Sequence, residues 1–187
     1  LDAPYHFAST MNGGERAITI DEVPLEWCFG DGVKLDFRDK PNGYVVTAQD
    51  VRKELARIGY ELKALDIVLV NTAAGKRYGQ NDYVSYGCGM GHDATLYLLE
   101  RGVRVTGIDG WSWDAPFEYT REKYEVSGDA SIIWEGHKAG REIGYCHIEK
   151  MHNLEVLPAY GFTVSCFPHK IRGASAGWTR AVAILDE

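Results

Sequence analysis

The stretch that decides the fold runs Thr47-Ala48-Gln49-Asp50-Val51-Arg52-Lys53-Glu54-Leu55-Ala56-Arg57-Ile58-Gly59, followed by Asp66-Ile67-Val68-Leu69-Val70. Thr47 is a helix cap, and Asp50 three residues on favours the positive end of the helix. Val51, Leu55 and Ile58 recur at helical spacing, and Gly59 supplies a stop. The run from Asp66 to Val70 is continuously apolar and rich in β-branched residues, which predicts a strand buried on both faces. Upstream, Val33-Lys34-Leu35-Asp36-Phe37 alternates and predicts a strand with one buried face. Strand, helix and strand in that order indicate an α/β domain.

The same unit recurs downstream. His92-Asp93 opens an amphipathic helix through Ala94, Tyr97, Leu98 and Arg101, closed by Gly102, and Val103 to Asp109 follows as a strand. Trp111 and Trp113 come just after that strand. Residues there often line a site, and loop packing is an equal alternative. A short helix carries His137, Tyr145 to Met151 alternates as a strand with His147 and Glu149 on one face, and 162–167 and 181–185 are strand-like. Asn12-Gly13-Gly14 and Gly30-Asp31-Gly32 read as turns, Ile18 to Asp21 as a short strand or bridge, and 71–90 as a long functional or capping loop. Nothing divides the chain, so 1–187 is expected to be one domain.

Composition narrows the function. The net charge is −7, from 20 basic and 27 acidic residues, and no basic stripe exists to meet phosphate backbones, which argues against a nucleic-acid partner. No apolar run approaches the roughly 20 residues of a membrane span. Cys28, Cys88, Cys146 and Cys166 form no metal or disulfide pattern and read as reduced core residues, consistent with a cytoplasmic protein. Cys88 sits in Gly87-Cys88-Gly89-Met90-Gly91, whose glycines have neither nucleophile-elbow nor phosphate-loop spacing, so a flexible loop is expected.

The first seven residues, Leu1-Asp2-Ala3-Pro4-Tyr5-His6-Phe7, place an acid and an imidazole four apart around a proline. Pro4 excludes a helix interior and Ala3 is biased to extended backbone, so both side chains are expected on rigid, non-helical chain. The stretch resembles the signature H-x-G-T-H-x-D-A-P-x-H-F of the cyclase family of metal-dependent hydrolases, which includes kynurenine formamidases and isatin hydrolases. The sequence begins inside that pattern, so the resemblance implies an N-terminally incomplete motif, without its two upstream histidines. The 98–109 segment is similar to the family's L-x-x-R-G-V-x-x-x-G-I-D. His137, twelve residues before Glu149, and the following Asn153-Leu154 match its metal region.

The resemblance implies a swivelling β/β/α domain and a homodimer, with Asp2, His137 and Glu149 as metal ligands and His6 as the catalytic residue. Imidazole and carboxylate together suit Zn or Mn. His147 and His152 compete with His137, and His147 ranks second because it shares a face with Glu149. His92 reads as a cap-region residue. Pro168 to Gly173 is similar to the family's P-x-K-I-x-G run, whose following loop makes Ser175 a candidate substrate contact beside Trp111 and Trp113. The expected activity is metal-dependent hydrolysis of a C–N bond in a small amide, formamide or cyclic amide. A lactone hydrolase, a cyclase and a catalytically silent binding protein are the alternatives.

Overall fold

The computed structural model describes residues 1–185. Six strands form one mixed sheet: β1 (Phe29–Asp36), β2 (Ile67–Asn71), β3 (Val105–Ile108), β4 (Cys146–Ile148), β5 (Phe162–Ser165) and β6 (Val182–Leu185). Their spatial order is β6-β5-β1-β2-β3-β4. Strands β1 to β4 run parallel, β5 is antiparallel to β1, and β6 is antiparallel to β5. The helices are α1 (Pro4–Phe7), α2 (Ala48–Ile58), α3 (His92–Leu99), α4 (Phe117–Ser127) and α5 (Glu135–Lys138). The expected α/β architecture is present.

The deciding stretch folds as its chemistry dictates. Thr47 Oγ1 accepts from the Asp50 N–H, and the Asp50 carboxylate accepts in return from the Thr47 N–H, so two of the free amides at the start of α2 are satisfied. Gly59 ends the helix at φ +68°. Val51 and Leu55 of α2, with Ala94 and Leu98 of α3, bury one face of the sheet through Val33, Leu35, Val68 and Val70. Ile67, Leu69, Val105, Cys146, Ile148 and Phe162 pack on the other face with Ala3, Ile20, Val23 and Leu154. The four cysteines are buried and free.

Five local expectations are corrected. Gly30-Asp31-Gly32 is not a turn but the first half of β1, paired with β5. Gly32 is needed there because a Cβ would lie 2.1 Å from the Phe162 ring. Strand β1 is buried on both faces rather than one, because Lys34 is covered by the 154–159 segment. Its ammonium donates to the Leu157 carbonyl and its amide to that of Ala159. Ile20–Glu22 is a 3₁₀ turn capped by Thr19, not a strand. Gly87 to Gly91 is not a flexible loop: Gly89–Met90 pairs with Val45–Val46, and Cys88 is buried. The Cys88 thiol is pushed up to about 12 by that burial, which suits an inert core residue. Finally, Pro4 to Phe7 forms one helical turn, so His6 is not on non-helical backbone. Pro4 holds the first helical position, where its missing N–H costs nothing.

Asp109 ties the carboxyl ends of β2 and β3 together. It accepts from Asn71 Nδ2, Thr72 Oγ1 and the Thr72 amide. Burial pushes its carboxyl up to about 6 despite these donors. A carboxyl raised in the folded state makes folding favour protonation, so stability from this group is highest near pH 4 and falls as pH rises through about 6. The expected loss is about 3 kcal/mol over that window. Chemical denaturation of the native chain and Asp109→Asn at pH 4 and pH 7 checks this. The variant should show a flatter profile, and identical profiles would exclude Asp109 as the source.

Candidate metal centre and substrate cavity

Parallel strands bring their carboxyl ends to one edge, where three segments converge: Gly110 to Ala115 after β3, Glu149 after β4, and the chain start. Asp2 is stitched into the edge by backbone bridges on two sides. It exchanges hydrogen bonds with His147 at 2.8 and 3.2 Å and also bridges Ala176. The neighbouring Ala3 N–H donates to the Ser175 carbonyl at 2.8 Å. Ala3 is extended, at φ −85° and ψ 164°, as expected before proline.

The side chains form a compact donor set. Glu149 Oε1 lies 3.5 Å from His147 Nε2 and 3.9 Å from His137 Nε2, and Asp2 Oδ2 lies 3.1 Å from His147 Nε2. The ligating atoms of His137, His147 and Glu149 all fall within 4.8 Å of one another. Donors sharing one ion at about 2.1 Å sit about 3–3.5 Å apart, so the two contacts of His147 Nε2 match that spacing and His137 Nε2 has to move closer to share the ion. The mixture of nitrogen and carboxylate oxygen suits Zn or Mn better than Ca.

Surrounding groups hold these donors in place. Asp114 accepts from the Gly136 amide at 2.7 Å, the His137 amide at 3.2 Å and His137 Nδ1. It thereby anchors α5 and leaves His137 Nε2 facing Glu149. Glu149 Oε1 accepts from the Trp113 amide and Oε2 from Lys150 Nζ at 2.8 Å. Burial would raise the Glu149 carboxyl, but the adjoining His147 ring and Lys150 outweigh it and hold it well below the usual range. Burial likewise opposes the charge on Asp2, and His147 reverses the balance. His137 is pushed down by burial against the pull of Asp114, which favours the neutral imidazole a metal requires.

A cavity of about 280 Å³ opens above the donor set, with Asp2, His6, Asp114, His137 and Glu149 at one end. Tyr86, Trp111, Phe117 and Trp134 wall the rest. Among the described residues that line it, every charged group apart from imidazole is acidic.

The sequence profile of the family described as Putative cyclase matches residues 1–115, which include the Asp2–Phe7 segment and strands β1 to β3. The chain belongs to the cyclase family. A search of curated proteins returns no match. Among solved structures, an isatin hydrolase bound to the product analogue thioisatinate aligns with a TM-score of 0.80 at 22% identity, covering 100% of this chain and 70% of that one. Isatin hydrolase A from Labrenzia aggregata, bound to benzyl benzoate, aligns at 0.77 and 20% identity, with 100% and 72% covered. A structure described as a potential metal-dependent hydrolase with cyclase activity aligns at 0.69 and 21% identity, with 100% and 77% covered. These likenesses establish a shared fold.

Within this cyclase-family chain, Asp2, His6, His137, Glu149 and Trp111 lie together on the cavity. The other two expected substrate contacts do not. Trp113 is fully buried in the core, where its Nε1 donates to Thr95 Oγ1 at 3.0 Å. Ser175 is absent from the cavity wall and acts through its carbonyl, which holds Ala3. His92 begins α3, with Gly91 at the cap, and its Nε2 lies 2.7 Å from Glu142. His152 stacks on Tyr78 instead of facing the donors. Sequence reading missed Asp114 as the brace of His137, and Tyr86, Phe117 and Trp134 as walls. Asp114 was visible in sequence through the resemblance, because the family commonly keeps a Ser and an Asp just after this strand, but not as a partner of His137.

Loss of that brace has a measurable consequence. Asp114→Asn keeps the size but cannot accept from His137 Nδ1 with a full charge, and outer partners of this kind are worth about 10–100-fold in metal affinity. Calorimetric titration with Zn or Mn is expected to show that weakening with the fold intact. Unchanged affinity would mean that His137 is held by packing alone.

Proposed function

We propose that this chain is a metal-dependent hydrolase that cleaves a C–N bond in a small amide, formamide or cyclic amide. One observation carries the reading: an imidazole and carboxylate donor set forms the floor of an aromatic-walled cavity, and a further imidazole, His6, stands on its wall. Asp2, His137 and Glu149 would hold a divalent ion, Zn or Mn. Such an ion lowers the pKa of a bound water and polarises a carbonyl.

The chain's own residues supply the rest. His6 is exposed to the cavity, with its ring centroid 5.8 Å from that of His137, so it can reach a substrate without being a member of the donor cluster. It takes a proton from the attacking water and returns it to the departing nitrogen. Trp111 and Phe117 offer flat apolar faces to a ring, and Lys150 lies 4.7 Å over the Trp111 ring and fixes it. The acidic floor favours a neutral substrate over an anion and helps expel the carboxylate product. A homodimer acting on a small molecule in the cytoplasm belongs to the same proposal.

Turnover by the Zn- and Mn-loaded protein of an arylformamide, a cyclic aryl amide and an aryl lactone tests the reading. Amide or formamide cleavage is expected to be preferred. A lactone preference would reassign the site to ester chemistry, and tight metal binding without turnover of any of them would favour a binding protein.

A further inference from the structure

His147 is the most enclosed polar side chain of the site, with no solvent exposure. Its ring packs against Phe7, His137 and Trp113, with centroids 5.0, 4.6 and 6.0 Å away, so it has no freedom to turn. Nδ1 lies 3.2 Å from the Tyr145 hydroxyl, which also lies 3.3 Å from the Gly136 carbonyl. A carbonyl can only accept, so with the single Tyr145 proton on the Gly136 carbonyl the hydroxyl is left to accept from Nδ1–H. Nε2 is then the free end of the ring. It faces Asp2 Oδ2 at 3.1 Å and Glu149 Oε1 at 3.5 Å, yet makes no hydrogen bond with any group. A proton on Nε2 would therefore be poorly directed at both carboxylates, whereas one cation could meet all three atoms.

We infer that His147 is a metal ligand through Nε2, and that Tyr145 is the positioning residue that fixes its tautomer. This rests on the metal-centre reading above and extends it to a residue outside the Asp2, His137 and Glu149 set. A buried polar atom without a partner is costly, and an ion shared with two carboxylates removes that cost. The strand supports the assignment. His147 is in β4 and Glu149 follows it by two residues, so alternation points both side chains the same way.

The test uses the 187-residue chain freed of metal by a chelator. Calorimetry with Zn and Mn first establishes binding, and loading with cadmium-113 then allows nitrogen-15 spectra of the histidine rings. Scalar coupling of cadmium to Nε2 of both His137 and His147 is expected. Coupling to His137 alone would overturn the His147 assignment while leaving the metal centre standing, and failure to bind any of the three metals would remove the centre itself. Affinity measurements add a second arm. His147→Ala should weaken Zn binding by more than about 100-fold, and Tyr145→Phe, which keeps the packing, by about 10–100-fold. Equal Zn affinity in Tyr145→Phe and the native chain would overturn the positioning role.

Discussion

Replacing His6 with alanine is expected to lower turnover by about 10²–10⁴-fold while metal content stays at its native level. The expectation follows from where the ring sits. His6 is on the short helix that Pro4 initiates, exposed at the cavity, and it makes no side-chain hydrogen bond. Its ring nitrogens have no protein partner among the described residues, so they are free to take up and give back a proton. Asp2→Ala should behave differently: it removes one of the proposed metal ligands, so metal and activity fall together. Metal analysis and kinetics on both variants decide the matter. Loss of metal from His6→Ala would make His6 a ligand, and full retention of turnover would remove it from the reaction.

The second large effect is structural. Trp113→Ala is expected to destabilise the fold by about 3–5 kcal/mol, since it empties one of the largest fully buried positions. It also removes the indole N–H that the Thr95 hydroxyl accepts, leaving that hydroxyl only its bond to the Gly91 carbonyl. The site should suffer through its support, because the Trp113 amide donates to Glu149 and the Trp113 carbonyl accepts from Met90. Denaturant unfolding measures the loss. A cost below about 1 kcal/mol with a changed substrate preference would return Trp113 to the cavity wall.

The elements with a local cause were legible in the sequence. Helix α2 carries its own cap and stop, β2 is apolar from Ile67 to Val70, and seven residues were enough to single out Asp2 and His6, which both line the cavity. Elements decided by distant partners were not. Gly30-Asp31-Gly32 reads as a turn until Phe162 packs across Gly32, and Lys34 reads as solvated until the 154–159 segment covers it. The donor set was half readable for the same reason. His137 and Glu149 stand out by spacing and resemblance, but the roles of Asp114 and Tyr145 exist only once α5 lies against the ends of β3 and β4. Trp111 and Trp113 are two apart, and only packing shows that one meets the cavity while the other is core.

The stitching of the chain start has a kinetic consequence. Leu1 exchanges backbone hydrogen bonds with Gly177, at 2.8 and 3.0 Å, and Asp2 is pinned between His147 and Ala176. Contacts of that sequence separation close only after the entropy of a very long loop has been overcome. During synthesis, the Asp2 carboxylate must therefore wait unpaired until the segments carrying His147 and Ala176 have emerged. The proposed cation site is then among the last features to form, and an ion bound there would stabilise the finished fold without rewarding earlier intermediates.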